Sequence, residues 1–381
     1  MRVLHVSPYF PPAYRYGGPP ASVLGLCKGL QRAGVQVEVV TTTANGDARL
    51  PASPGGTDYE GVRVRYADAA FPRRFFGARI RTPLAAALAQ ADVCHVHGMW
   101  NVPEWFATHM ARGRRIPYVL SPRGMLQPAA LDRGRWRKAV AYRLLEARNL
   151  RRASMLHATS DQEADALRAL ALDVPIAVVP NGVDLGAADR APRGARARLG
   201  IPPDAFVVLF LGRLHAIKRL DLLAGAFAAA QTTRPFLHLV IAGPDEHRLL
   251  PGILESLAAH ADAVHAVGAV DGADKWALLK DADVSVQCSD SESFGLSVVE
   301  SLAAGVPVVA THTCPWRVIE VEGCGRWVEQ TTQAIAAAIG EIADDRARAA
   351  AMGERAAKFA RARYGWDAIA RAMTELYASV H

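Results

Sequence analysis

An α/β protein with two Rossmann-like, doubly wound domains is what this sequence predicts, on three observations. Short β-rich runs bounded by Gly and Pro alternate with helical stretches, the pattern of parallel sheets covered on both faces. At 381 residues the chain exceeds the size at which single cores stop growing, so two domains are expected. The alternation pauses at Pro180-Asn181-Gly182-Val183-Asp184 and a small, charged stretch to about Gly200, then restarts. The first domain is therefore expected to span 1–183 and the second 184–365.

In order along the first half, strands are expected at 2–7, 35–42, 61–66, 92–97, 117–121, 155–159 and 176–180. The second half offers 206–212, 236–242, 264–268, 283–288, 306–310 and 325–328. Helical segments between them include 20–33, 102–112, 136–152, 161–171, 218–230, 273–281 and 295–304. Ligands of such sheets bind beyond the carboxyl ends of the strands. With two domains facing each other, the cleft between them is the expected site.

Composition narrows the class. The chain is 51% hydrophobic and 21% charged, ordinary for a folded globular protein. Five cysteines, at 27, 94, 288, 314 and 324, show neither CxxC nor zinc-ligand spacing, and their odd number argues against a closed disulfide framework. Met1-Arg2-Val3-Leu4-His5-Val6 already reads as a strand rather than a leader, and no apolar run approaches the roughly 18–20 residues of a membrane span. A cytoplasmic protein is expected.

Charge is unevenly spread. Residues 1–180 hold 24 Lys and Arg against 13 Asp and Glu, a net of +11, while the remainder carries 20 against 24, a net of −4. Much of the excess falls in a predicted basic amphipathic helix containing Arg133, Arg135, Trp136, Arg137, Lys138, Val140, Arg143, Leu144, Leu145, Arg148, Arg151 and Arg152. This face is either simply solvated or a surface for anionic membrane lipid. Nucleic acid is not the expected partner, because no recognised nucleic-acid module occurs.

The residues with chemical potential fall where strands end. After 2–7, Tyr16-Gly17-Gly18-Pro19-Pro20 opens a helix; paired glycines let backbone approach an anion, or form a plain turn. His95 and His97 share one face of a strand, so a metal pair must be weighed, but no third ligand spacing supports it. A hydrogen-bonded core role suits His95, and His97, beside Gly98 at the strand tip, is better placed to touch a substrate. In the second half, a buried strand ends in Gly212-Arg213 and Lys218 follows where a helix begins. Fixed cations there suit a departing nucleoside diphosphate, whereas Arg219 reads as solvated helix surface. Ser291-Glu292-Ser293-Phe294-Gly295-Leu296-Ser297-Val298-Val299-Glu300 sets two carboxylates eight positions apart across a glycine loop opening into a helix. Helix-start amides hold a diphosphate and carboxylates accept from hydroxyls, an arrangement suited to a sugar nucleotide. A surface turn with two solvated glutamates is the alternative. Asp281-Ala282-Asp283 matches a metal-binding string, yet helix capping and solvation at a helix-to-strand junction explain it, and no metal is expected.

Tyr16-Gly17-Gly18, His97, Pro180 to Asp184, Gly212-Arg213 with Lys218, Ala242-Gly243 and Glu292-x7-Glu300 occur in the order found in family-4 (group 1) retaining glycosyltransferases of the GT-B fold. The resemblance spans almost the whole chain, and Tyr364-Gly365-Trp366-Asp367 with the following helix resembles the crossover helix, 366–381, that packs on the N-terminal domain. It implies an N-terminal acceptor-binding domain and a C-terminal domain for a nucleotide sugar, UDP- or GDP-linked, with no further cofactor. By that resemblance Arg213 and Lys218 neutralise the diphosphate, Glu292 contacts the transferred sugar and Glu300 the ribose. The amides of Phe294, Gly295 and Leu296, joined by Gly17 and Gly18, cradle phosphates, and His97 lies against the sugar.

Ser121-Pro122-Arg123-Gly124-Met125-Leu126 resembles transferases that build bacterial exopolysaccharides and surface glycans. Arg123 is expected either to meet a lipid-linked diphosphate or acidic sugar, or to form a structural salt bridge. The expected activity is retaining, metal-independent transfer of a hexose to a glycan acceptor, lipid-linked, at the inner face of the cytoplasmic membrane. A nucleotide-sugar 2-epimerase and a catalytically silent sugar-nucleotide-binding scaffold are the alternatives; the intact Arg213, Lys218, Glu292 and Glu300 set argues against the scaffold.

Overall fold

The N-terminal run forms strand β1 (Arg2–Val6), and Val3, Leu4 and Val6 are all buried because helices cover both faces of its sheet. A computed structural model describes residues 1–51, 56–69, 78–132 and 135–381, and they divide into two units, Met1–Gly182 with Trp366–His381 and Val183–Gly365.

In the first unit, β2 (Gln36–Thr42) is followed by a small hairpin, β3 (Ala44–Asn45) and β4 (Ala48–Arg49). Then come β5 (Thr57–Tyr59), β6 (Val62–Ala67), β7 (Val93–His97), β8 (Tyr118–Ser121), β9 (Met155–Ala158) and β10 (Ile176–Val178). The main sheet runs β10-β9-β8-β7-β1-β2-β6-β5, parallel except where β5 meets β6. Alternation along β1 builds two cores. Val3 joins Val37, Val39 and Val64 under helices Gly18–Arg32 and Trp366–Val380, while Leu4 and Val6 join Cys94 and Val96 under Arg81–Leu88 and Val102–Gly113.

Helix Trp366–Val380 buries Ile369, Ala370, Met373, Leu376 and Tyr377, a stripe at helical spacing. Glycines make room for its first residue. A Cβ at Gly25 would lie 2.3 Å from the Trp366 ring, and one at Gly182 2.5 Å from it.

The second unit contains β11 (Phe206–Leu211), β12 (Leu237–Ala242), β13 (Val264–Gly268), β14 (Val284–Gln287), β15 (Val308–Thr311) and β16 (Gly325–Val328). All pair in parallel in the order β13-β12-β11-β14-β15-β16. Val207, Leu209 and Leu211 pack toward helices Gly272–Asp281 and Leu296–Ala303, and Phe206, Val208 and Phe210 toward Leu220–Thr233 and Thr332–Ala343. Each unit is thus Rossmann-like. The strand order reverses between β1 and β7 in the first and between β11 and β14 in the second, which marks the loops after those strands as ligand-binding positions.

The helix expected over 136–152 runs without a gap as Arg135–Ala141, a π-helical turn Tyr142–Glu146 and Ala147–Arg151. Glu146 ends the π turn. Its buried carboxylate accepts from Trp100 N at 3.1 Å and Asn149 Nδ2 at 3.2 Å, which draws this turn inward. Trp136 is 74% exposed, with Val140 and Leu145 also exposed, while Arg133 lies outside the described residues. Among the described residues, no helix is long and apolar enough to cross a membrane.

Candidate active site

In the second unit, the loops after β11 and β12 meet backbone to backbone. The amide of Gly212 donates to the Ala242 carbonyl, and a Cβ at Gly243 would fall 1.8 Å from the Gly212 oxygen. Only glycine fits at 243. This fixes the exit of β11, from which Arg213 emerges half-buried, with no ion-pair partner among the described residues. His215 Nδ1 then accepts from Ile217 N at 3.2 Å, capping the short turn Ala216–Lys218 that presents Lys218.

Lys218 Nζ is ion-paired with Glu292 Oε1, from the loop after β14. The same oxygen accepts from Gln287 Nε2 at 2.7 Å and Ser289 Oγ at 2.8 Å. Lys218, Gln287 and Ser289 therefore help position Glu292, whose side chain is 12% exposed. Gly295 caps helix Leu296–Ala303 at φ +89°, a left-handed conformation that costs glycine little. Phe294 is buried against Trp316 and Tyr364, and its carbonyl accepts from Trp316 Nε1, so the turn carrying the Phe294, Gly295 and Leu296 amides is anchored. One turn on, Glu300 Oε1 accepts from Lys275 Nζ at 2.6 Å.

Two neighbouring expectations are corrected. Arg219 is not a freely solvated helix residue: it sits at φ +50° and pairs with Asp221 at 2.9 Å and Asp290 at 3.1 Å, bracing the loop that carries Glu292. Asp281 and Asp283 are not held by solvation. Asp281 accepts from Gly194 N at 2.7 Å, and Asp283 from Arg196 Nη2 and Val207 N, both at 2.6 Å, so the string serves structure.

In the first unit, Gly17 caps helix Gly18–Arg32 with φ +80°, and the loop before it is stiffened by stacked Tyr9 and Tyr16 rings 4.3 Å apart. Under the adjoining strand ends lies a buried polar network whose protons can be assigned. Arg123 Nη2 can only donate, so His97 Nδ1 accepts at 2.9 Å, and His97 Nε2–H donates to His5 Nδ1 at 2.9 Å. A second chain ends on a carbonyl. His157 Nε2–H donates to Val179 O, Ser121 Oγ–H to His157 Nδ1, His95 Nε2–H to Ser121 Oγ, and Tyr377 O–H to His95 Nδ1, at 2.6–2.8 Å. All four imidazoles are neutral in this scheme. Burial, and then the Arg123 charge, pushes His5 down to about 3 and His157 to about 4. His95 and His97 lie well below 6.5, first through burial and then through neighbouring histidines and Arg123.

His97 is only 2% exposed, so its ring lies behind Arg123 rather than at an open strand tip. Arg123 also donates to Asn181 Oδ1 at 2.7 Å and Ser22 Oγ at 3.3 Å; among the described residues its partners are neutral groups rather than the carboxylate a salt bridge requires. Lys138 Nζ donates to the Ala130 carbonyl.

The third ring missing from the His95–His97 pair is His5. Ligand atoms of His5, His95 and His97 lie within 4.8 Å of one another. A cation there would sit beside the guanidinium and displace hydrogen bonds already made to Arg123, Ser121 and Tyr377, so the cluster reads as a neutral network. A buried acid was also not anticipated. Glu104, behind Gly98, accepts from Asn101 Nδ2 at 2.8 Å, and burial raises it to about 8.

Comparison with known proteins identifies the family. Residues 17–182 match the model of a glycosyl transferase 4-like domain, and residues 193–359 that of glycosyl transferases group 1. A D-inositol 3-phosphate glycosyltransferase of Kineococcus radiotolerans is 32% identical over 98% of this chain and 93% of its own. Anabaena HepE, solved in complex with UDP and glucose, superposes with a TM-score of 0.78 at 19% identity, covering 100% of both chains. Sucrose-phosphate synthase from Thermosynechococcus elongatus gives 0.76 at 22% identity, over 100% of this chain and 99% of that one. With two Rossmann-like units and full-length relatives, the chain belongs to the family-4 (group 1) glycosyltransferases of GT-B fold.

Proposed function

We propose that this glycosyltransferase transfers a hexose from a UDP- or GDP-sugar to a glycan acceptor with retention of anomeric configuration and without a metal ion. The observation that carries the proposal is the meeting of Lys218 and Glu292, with the helix start at Gly295 close by in the chain and Arg213 without an ion-pair partner among the described residues. On donor binding, the diphosphate draws Lys218 and Arg213, and the helix-start amides add fixed positive dipole. Glu292, still held by Gln287 and Ser289, is released to accept from the sugar hydroxyls. The anomeric C–O bond to phosphate breaks as the two cations stabilise the charge growing on the leaving oxygen. The acceptor hydroxyl attacks from the face the nucleotide leaves, forms the new C–O bond, and passes its proton to the departing phosphate. No carboxylate nucleophile is used, unlike a retaining hydrolase. Glu300 holds the ribose.

Exposed Trp136, Val140 and Leu145, in a half of net charge +11, support a lipid-linked acceptor met at the inner face of the cytoplasmic membrane. A small phosphorylated polyol acceptor is the second reading, favoured by full-length relatives named D-inositol 3-phosphate glycosyltransferase. The test is proton NMR of the product from a UDP- or GDP-linked α-hexose, run with EDTA. An α-linked product with EDTA present is expected. A β-linked product, or loss of activity restored by added divalent cation, would contradict the retaining or the metal-free part respectively.

A further inference from the structure

The proposed donor chemistry assigns no task to Lys275, the fourth residue of helix Gly272–Asp281. Its ammonium lies 2.6 Å from Glu300 Oε1, and both side chains are partly buried, 25% and 18% exposed. The contact joins two helices: Glu300 stands on the second turn of Leu296–Ala303, the helix that Gly295 opens. The two glutamates of the signature are thus each engaged through Oε1 by a lysine from a different element, Glu292 by Lys218 and Glu300 by Lys275. The two lysines differ in setting. Lys218 follows β11 in the loop that also carries Arg213, where a diphosphate would recruit it, whereas Lys275 is borne by a ten-residue helix with its ammonium 5.4 Å from the Trp276 ring centroid.

We propose that Lys275 is a positioning and specificity residue of the donor site, which pins Glu300 by one oxygen so that the other accepts from the hydroxyls of a ribonucleotide. The inference rests on the reading of Glu300 as the ribose contact. Its logic is one of geometry and charge. A carboxylate with one oxygen held has a fixed plane, and its second oxygen retains lone pairs for a vicinal diol. A hydroxyl bound to a charged acceptor contributes more than one bound to a neutral acceptor. Without Lys275 the glutamate can turn, and the entropy of fixing it falls on the binding event. A ligand lacking the 2′-hydroxyl leaves the aimed oxygen partly unsatisfied, which is how such a site rejects an analogue.

The test measures binding of UDP against 2′-deoxy-UDP, and GDP against 2′-deoxy-GDP, by calorimetry on the full chain. Wild type is expected to prefer the ribonucleotide of the bound pair by about 10-fold or more, the scale of one hydrogen bond to a charged group. Lys275→Met should weaken ribonucleotide binding and reduce that preference to about 2-fold or less, while Lys275→Arg restores it. In a Glu300→Gln background, Lys275→Met should have little further effect on the ratio, because the lysine acts through the glutamate. Should Lys275→Met fail to fold, Lys275→Gln serves in its place. A ratio unchanged by loss of the lysine, with wild type still discriminating, overturns the proposal. Absence of discrimination in wild type overturns instead the assignment of Glu300 to the ribose.

Discussion

Lys218 and Glu292 come from crossovers 74 residues apart in sequence and form an ion pair at the point where the second sheet reverses its strand order. Both are mostly buried, 18% and 12% exposed, so the pair is set in a site of reduced solvent screening. Arg213 stands nearby in the chain without a counter-ion among the described residues.

Loss of the cations should therefore strike turnover. Lys218→Ala or Arg213→Ala is expected to lower kcat by roughly 100-fold or more, the scale for removing a contact to transition-state charge. Steady-state kinetics on the folded variants check it. Near-normal turnover in the double variant would remove both residues from the chemistry.

The two glutamates should separate kinetically. Glu300→Gln is expected to raise the donor KM about 10-fold with little change in kcat, because a ribose contact is the same in ground and transition states. Glu292→Gln should lower kcat by about 100-fold, since its partner is the sugar whose charge and shape change. Indistinguishable defects would contradict the division of roles.

Much of this was legible in the sequence, for a physical reason. Buried parallel strands are apolar runs stopped by Gly and Pro, so their carboxyl ends can be located, and Arg213, Glu292, Gly17 and His97 all stand at or just beyond such ends. What could not be read is pairing across the sheet. His5 faces His95 only because β1 and β7 pair in that register, and Tyr377 reaches His95 from 282 residues away. His5 did leave a trace as a polar residue within a buried strand, but nothing local names its partners. Nothing local to Lys275 names Glu300 as its partner either. Within the 136–152 helix the π turn could not be read, because periodicity reports amphipathicity and not the inward contacts of Glu146.

The raised Glu104 acid predicts a stability change of definite sign. Its value rises from 4.5 to about 8 on folding, mainly through burial, so between those values the folded chain holds a proton that the unfolded chain has lost. Its contribution to stability therefore falls as pH rises from about 4.5 to about 8. Glu104→Gln keeps the shape of the protonated acid, so it should be neutral near pH 5 and more stable than wild type by at least about 1 kcal/mol at pH 8. Denaturant titrations at the two pH values measure this. An equal difference at both would show that Glu104 is ionised in the fold.

The exposed Trp136, Val140 and Leu145 predict contact with lipid. Vesicles containing anionic lipid should retain the protein at low salt and release it as salt rises, because exposed charges are screened over about 10 Å at 0.1 M. Neutral vesicles should not bind it. Replacing Arg133, Arg135, Arg137 and Lys138 with glutamine should weaken retention without changing nucleotide affinity. A wild type that ignores anionic vesicles at low salt would favour a soluble acceptor.

A thermal-shift panel of nucleotide sugars, run on wild type and on the Arg213→Ala, Lys218→Ala double variant, tests donor binding at the second sheet's reversal point. A ligand that binds the folded state raises apparent stability by mass action, about 2.7 kcal/mol at 100 times its Kd. At least one UDP- or GDP-sugar should raise the melting temperature of wild type by several degrees and leave the double variant unmoved. Equal stabilisation of both proteins, or no response of wild type to any UDP- or GDP-sugar, would contradict a donor site built on Arg213 and Lys218.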